Sequence, residues 1–398
     1  MNFDEVIDRS GTYSLKWDNP RNLPGLREIL PLWVADMDFP PPEAVLKAIR
    51  ERALHPIFGY TLPAHEYFEA VSAWYALRQG IELGAKDIAL APSVMGAIAA
   101  ALHAFTDRGD GVMILPPVYH PFFSVVEEND RVVVEAPLAR LADDCWELDF
   151  AAMDRAAEMA ARAGTRLRAI LFSSPHNPVG RVWTQTELGR LLDFAQDRGL
   201  YLLCDEIHSD IILGAKPFTS LAATRGEAAR RLVVFSGPNK TFNIAGLHIC
   251  QAIARGEEEM AAMRRAISAG GFGLPNVFSL TAALAAYRGG GPWLDELCAY
   301  LKGNERFLRD FLAARFPEIR MSPVEGSYLA WLDLGSFLSR LGPDDTGLAR
   351  QLEERGRVRL SPGSGFGREG AGFLRLNFAC PRSMLEEGLD RLGRTLTS

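Results

Sequence analysis

The spacing of apolar residues changes twice along the chain. After Pro40-Pro41-Pro42, residues 43–54 repeat at helical spacing and predict a first amphipathic helix, because proline can open a helix but cannot continue one. Phe58-Gly59-Tyr60-Thr61 reads as a loop and residues 65–78 as a second helix. From residue 88 short apolar and β-branched runs alternate with helical stretches. Residues 88–90 predict a strand, and residues 94–105 a helix whose Gly96, Ala97, Ala99 and Ala100 allow close packing. Residues 112–115 predict a strand ending on Pro116-Pro117-Val118-Tyr119, and residues 131–135 another.

Residues 167–172 and 200–204 are strand-like, and Thr184 with Glu187 three residues on forms a capping box for a helix reaching about Arg198. A strand, a crossover helix and a strand of this length predict a right-handed unit with both strands parallel. Their carboxyl ends then face one crevice, which is where open α/β sheets bind ligands. Residues 231–235 predict a further short strand, closed by Ser236-Gly237-Pro238, so that Lys240 follows a strand end on the same edge.

Beyond about residue 285 the alternation loosens. A long helix is expected over 293–313, strands at 327–333, near 357–360 and at 373–378, and helices at about 346–355 and 381–396. The expected class is α/β, with a large domain (46–285) built on a mostly parallel sheet flanked by helices. A smaller α+β domain (286–398) is expected to pack with the N-terminal segment (1–45). Neither an internal repeat nor a low-complexity segment is visible.

At 398 residues the chain is long enough for two or three domains. A net charge of −7 and the lack of a dense basic tract argue against nucleic acid or an anionic membrane as partner, leaving a small molecule. The five cysteines are scattered, odd in number and form no CxxC pair, the usage of a reducing compartment without a zinc site. With no basic and apolar leader at the amino terminus and no membrane-length apolar run, a cytoplasmic protein is expected.

Gly365-Phe366-Gly367-Arg368-Glu369-Gly370 matches a dinucleotide fingerprint, yet a strand follows it where a helix is required, so it reads as a turn. Asp205-Glu206-Ile207-His208-Ser209-Asp210 offers metal-type ligands without a second half elsewhere; no metal is expected, and a carboxylate capping a following helix, with His208 on its surface, is the alternative. Tyr119 reads either as core filling or as a ring face for a planar heteroaromatic. Arg375 is either a solvent-facing strand residue or a clamp for a carboxylate.

Five ordered stretches carry a resemblance that runs nearly end to end. They are Trp33-Val34-Ala35-Asp36-Met37-Asp38-Phe39, Ser174-Pro175-His176-Asn177-Pro178-Val179-Gly180, Asp205 to Asp210, Asn239-Lys240-Thr241-Phe242-Asn243-Ile244-Ala245-Gly246, and Arg375-Leu376-Asn377-Phe378-Ala379. Together they resemble the aspartate-aminotransferase-like, type I fold of pyridoxal 5′-phosphate (PLP) enzymes, and within it the cystathionine β-lyase-like carbon–sulfur lyases. The resemblance implies that Lys240 holds PLP as a Schiff base and takes the proton from the substrate Cα. It implies that Asp205 keeps the pyridine nitrogen protonated, that Asn177 and His208 lie at the ring hydroxyl, and that Tyr119 stacks on the ring.

By the same resemblance Met95, Gly96 and Ser236 serve the phosphate. Tyr60 reaches the cofactor of the neighbouring subunit, making a homodimer with shared sites, and Arg375 binds the α-carboxylate of an amino-acid substrate. Trp33, Tyr119 and Phe272 are candidates to line the leaving-group pocket. Two departures bear on the phosphate: Gly237 stands where many members have serine or threonine, and His248 where many aminotransferases have arginine. The implied activity is β-elimination from an L-cysteine thioether. An aminotransferase, or a PLP-binding regulatory protein without turnover, remains the alternative.

Overall fold

The computed structural model describes residues 1–18 and 29–397. Its centre is a seven-stranded sheet in the order Ile88–Ala91, Cys250–Ile253, Leu232–Ser236, Tyr201–Asp205, Leu167–Ser173, Gly111–Ile114 and Val132–Glu135. All neighbours are parallel except Cys250–Ile253, which runs antiparallel to both of its own. That strand, Cys-Gln-Ala-Ile, is too short and too interrupted by Gln251 to stand out as a periodic run, and sequence reading missed it.

Side chains alternate across the sheet, as the two-residue period of a strand requires. Ala169, Leu171, Leu203, Val233 and Phe235 pack on one face against the helices Val94–Phe105 and Glu257–Ala269. Ile170, Phe172, Leu202, Cys204 and Val234 pack on the other, with Leu188, Leu191 and Phe194 of the helix Gln185–Asp197. Because both faces are covered, the strands are continuous apolar runs, which is why they were legible. The helices Pro121–Glu127, Phe150–Arg162, Glu257–Ala269 and Val277–Gly289 were not anticipated.

A second, antiparallel sheet has the order Arg320–Met321, Leu329–Asp333, Phe373–Asn377, Ser361–Pro362. The segment around Leu30 lies beside it: Leu30–Pro31 pairs with Val358–Arg359 in a separate two-stranded sheet, and the Asn377 N–H donates to the Leu32 carbonyl at 2.9 Å. The boundaries expected at 45/46 and 285/286 fall inside the helices Glu43–Leu54 and Val277–Gly289, and those two helices pack on each other.

The capping box read from the sequence is present. The Glu187 N–H donates to Thr184 Oγ1 at 3.2 Å and the Thr184 N–H to Glu187 Oε2 at 2.7 Å. Thr184→Ala therefore removes one of the few acceptors at that helix start and costs about 1 kcal/mol. The measurement is the urea midpoint, which falls for Thr184→Ala and is retained by Thr184→Ser; an unchanged midpoint in the alanine variant contradicts the role of the cap.

Candidate active site

Ser173, Asp205 and Phe235 stand side by side at the carboxyl ends of three adjacent parallel strands. Short hydrogen bonds tie the chains just beyond them: the Ser174 N–H to the Asp205 carbonyl at 2.9 Å and the Glu206 N–H to the Phe235 carbonyl at 2.7 Å. Lys240 follows in the one-turn helix Pro238–Thr241. A cavity of about 240 Å³ opens here, with Lys240, Asp205, Asn177, His208, Tyr119 and Met95 in its wall.

A single irregular stretch, residues 33–39, passes this edge with bends at Val34–Ala35 and Asp38–Phe39, and side chains from several elements hold its carbonyls. Arg375 and Ser361 donate to Trp33, Asn377 to Val34, Lys240 and Tyr328 to Ala35, Asn377 and Lys16 to Asp36, and Asn243 to Met37 and Phe39. A stretch outside any helix or strand has carbonyls to satisfy, and these donors satisfy them. Beneath it the Asp38 carboxylate, 3% exposed, is met by Lys16, Arg9 and the Trp17 indole. Of these donors only Lys240 and Arg375 had been picked from the sequence; Asn243 and Asn377 lay inside the quoted stretches, and Tyr328 and Ser361 had no signal.

Burial governs the charges. It lowers Lys240 to about 8, a shift that the nearby Asp36 carboxylate opposes and Arg375 reinforces. Asp205 is pushed up to about 7 by burial, although its Oδ1 accepts the Ile207 N–H at 3.0 Å and Lys240 favours the anion. His208 drops to about 3, first by burial and then by Lys240 and Arg375. Arg375 falls to about 10 for the same first reason.

Asp205 ends in a turn, not at the start of a helix, and His208 is buried, so the capping alternative with a surface histidine is overturned. Arg375 is likewise 3% exposed and not solvent-facing. It donates to Asn177 Oδ1 and to the Trp33 carbonyl, each at 3.0 Å, so it stands directly behind the cavity wall. Trp33 contributes that carbonyl, while its ring packs under the Arg359 guanidinium.

Other residues picked from the sequence lie outside this wall. The Gly96 N–H is used by Ser93 Oγ at 3.0 Å as an N-cap, which puts Ser93 itself at the cavity. Ser236 donates to the Glu206 carbonyl. Tyr60 is 98% exposed, and Phe272 lies in a separate groove between the helices Val94–Phe105 and Glu257–Ala269. Gly237 has no room for a side chain: a Cβ there would sit 2.9 Å from the Ile249 carbonyl. His248, the other departure, lines the cavity.

The donor set fits PLP. Asp205 is a buried carboxylate with a single N–H partner among the described residues, suited to a pyridinium nitrogen. Asn177 still has its amide N–H groups to give after its oxygen has taken Arg375. Asn239 Oδ1 and Arg375 Nε are buried with no hydrogen-bond partner among the described residues, as expected where a polar ligand is to be added. Ser93, Met95 and His248 supply the end suited to a phosphate.

The chain belongs to the class I and II aminotransferase family, which it matches over residues 27–392. It is 37% identical to cystathionine beta-lyase PatB of Bacillus subtilis, over 100% of both chains. Cystalysin of Treponema denticola, whose crystal structure contains PLP, is 31% identical with a TM-score of 0.92, over 100% of this chain and 98% of that one. A PLP-bound C-S lyase from Staphylococcus hominis is 29% identical, with a TM-score of 0.90 over 100% and 99%. The fold is therefore the type I fold of PLP-dependent enzymes, large sheet and smaller antiparallel sheet together.

A lysine lowered to about 8 from the ordinary 10.5 loses its proton in a pH range where an unfolded lysine stays charged. In cofactor-free protein, acylation of Lys240 should rise with pH and level off just above about pH 8, whereas in urea-unfolded protein it should keep rising towards 10.5. Peptide mass spectrometry of the Lys240 peptide reads both curves; superimposable curves contradict the shift.

Proposed function

We propose that this protein is a PLP-dependent carbon–sulfur β-lyase that cleaves an L-cysteine thioether of the cystathionine type. The observation that carries this reading is the 37% identity, over the whole of both chains, to a protein named cystathionine beta-lyase. The buried lysine, carboxylate and arginine gathered at one strand edge support it. When bound, PLP supplies the electron sink for a carbanion at the substrate Cα.

The chain's own groups do the rest. Lys240 is the covalent anchor, and its Nζ removes the Cα proton, which its lowered pKa favours at neutral pH. Asp205 holds the proton on the pyridine nitrogen. Asn177 and His208 would donate to the ring oxygen and Tyr119 would cover a ring face, all three lining the cavity. Arg375 turns from the Trp33 carbonyl to bind the α-carboxylate in a bidentate pair, with Trp33 beside it. Met95, with Ser93 and His248, serves the phosphate, and Gly96 and Ser236 stand behind them, the first through its N–H to Ser93 Oγ. As the Cα–H bond breaks, its electron pair forms the Cα–Cβ double bond, and the Cβ–S pair leaves with the sulfur, which takes up a proton as the thiol; with one water consumed, the remaining atoms leave as pyruvate and ammonia.

Further parts of the reading concern assembly and place. Tyr60 serves the site of a second copy in a homodimer, and exposed Leu54, Ile57, Phe58 and Leu62 around it make a surface suited to burial. The two chain ends form the smaller domain. Five free cysteines, three of them buried, suit the cytoplasm. No helix among the described residues is long and apolar enough to cross a membrane.

The second reading is an aminotransferase, favoured by the family description and served by the same residues. Incubation of the PLP-loaded protein with L-cystathionine and no keto acid separates the two. The lyase gives thiol and pyruvate in equal amounts, and Lys240→Ala gives neither. Amino transfer that requires a keto acid, without thiol, contradicts the lyase; failure to turn over any amino acid points to a regulatory protein.

A further inference from the structure

Ser327 is an unusual residue in an important place. It adopts φ 71°, a left-handed conformation that side chains rarely take, and is 2% exposed. Its N–H donates to the Ile211 carbonyl at 2.8 Å, locking the turn to the segment that follows His208. Its Oγ lies 3.3 Å from His208 Nδ1. His208 in turn lines the cavity that holds Lys240 and Asp205, and the edge of its ring meets Tyr328, with centroids 5.6 Å apart. Strained residues cluster where function over-determines them, which makes the hydroxyl worth following.

A neutral imidazole has one N–H, and a hydrogen bond at one nitrogen decides what the other offers. His208 is neutral, since burial and the cations Lys240 and Arg375 hold it at about 3. Nδ1 is the one acceptor that the Ser327 hydroxyl reaches among the described residues. If Nδ1 carried the proton, the hydroxyl hydrogen would be buried without an acceptor and a bare nitrogen lone pair would face the cavity. If the hydroxyl donates to Nδ1, both groups are satisfied and Nε2 carries the hydrogen.

We propose that Ser327 is a positioning residue: its hydroxyl fixes His208 as the Nε2–H tautomer, so that the imidazole presents a hydrogen-bond donor to the anionic ring oxygen of the cofactor. The acceptor rests on the PLP reading above; the tautomer itself does not. Serine at this strained turn is then kept for its hydroxyl, because glycine would adopt the backbone more readily.

The test uses the full chain with ¹⁵N-labelled histidine, without and with PLP, and the His208 signals identified by their loss in His208→Gln. The expected result in both states is an unprotonated Nδ1 and a protonated Nε2. Ser327→Gly relieves the backbone and removes the hydroxyl, so the fold is kept while His208 becomes a mixture of tautomers and the visible absorption maximum of bound PLP moves. In a His208→Phe background the same substitution should move the absorption no further. A purely structural serine would change the unfolding midpoint and leave the ring nitrogens as they were. Protonated Nδ1 in the unaltered protein, or an unchanged nitrogen pattern in Ser327→Gly, overturns the proposal. A tautomer switch without any change of absorption would instead keep the positioning role and count against the PLP contact.

Discussion

Lys240 and Asp205 face one cavity of about 240 Å³, and neither is satisfied by the other: the lysine gives its ammonium to the Ala35 carbonyl, and the carboxylate takes the Ile207 N–H. Burying two ionisable groups without pairing them is unfavourable, and the shifts of both towards neutral pH express that cost. A cationic aromatic nitrogen at one and a carbonyl carbon at the other would relieve it. The rest of the architecture can be understood as what is needed to hold these two side chains apart and in place.

The parallel sheet supplies the first part. Its strands bring Ser173, Asp205 and Phe235 into one row, so the loops that follow emerge together without any long connection. The irregular stretch 33–39 supplies the second. It receives Lys240 and Tyr328 on the Ala35 carbonyl and Arg375 on the Trp33 carbonyl, two residues away. Lys240 and Arg375 thus share one backbone support, with Asp38, Lys16 and Arg9 fixing it from below. A disturbance at either end of that stretch is transmitted to both groups.

Much of this was legible because the strands are buried on both faces and so read as unbroken apolar runs ending in turn residues. The parallel unit from 167 to 205 and the capping box at Thr184 followed from that pattern alone. Lys240, Asp205, Asn177 and His208 were found because the ends of parallel strands must converge and because the quoted stretches resemble a known family. What stayed hidden was long-range and backbone-directed. Tyr328, Ser361 and Ser327 act through hydrogen bonds to carbonyls or to another side chain more than a hundred positions away, and no periodicity records such a partner. At Gly96 the helix start was visible, but not that Ser93 would take its N–H. Cys250–Ile253 escaped because Gln251 breaks the run, although its side chain is buried and bonded to Tyr67 and Tyr287.

The most direct measurement is borohydride reduction of the PLP-loaded protein followed by peptide mapping of the pyridoxyl label. The account predicts one label per chain, on the peptide containing Lys240, with no label after the same treatment of Lys240→Ala. A label carried by another lysine, or a protein that stays colourless and unlabelled when given PLP, would contradict it.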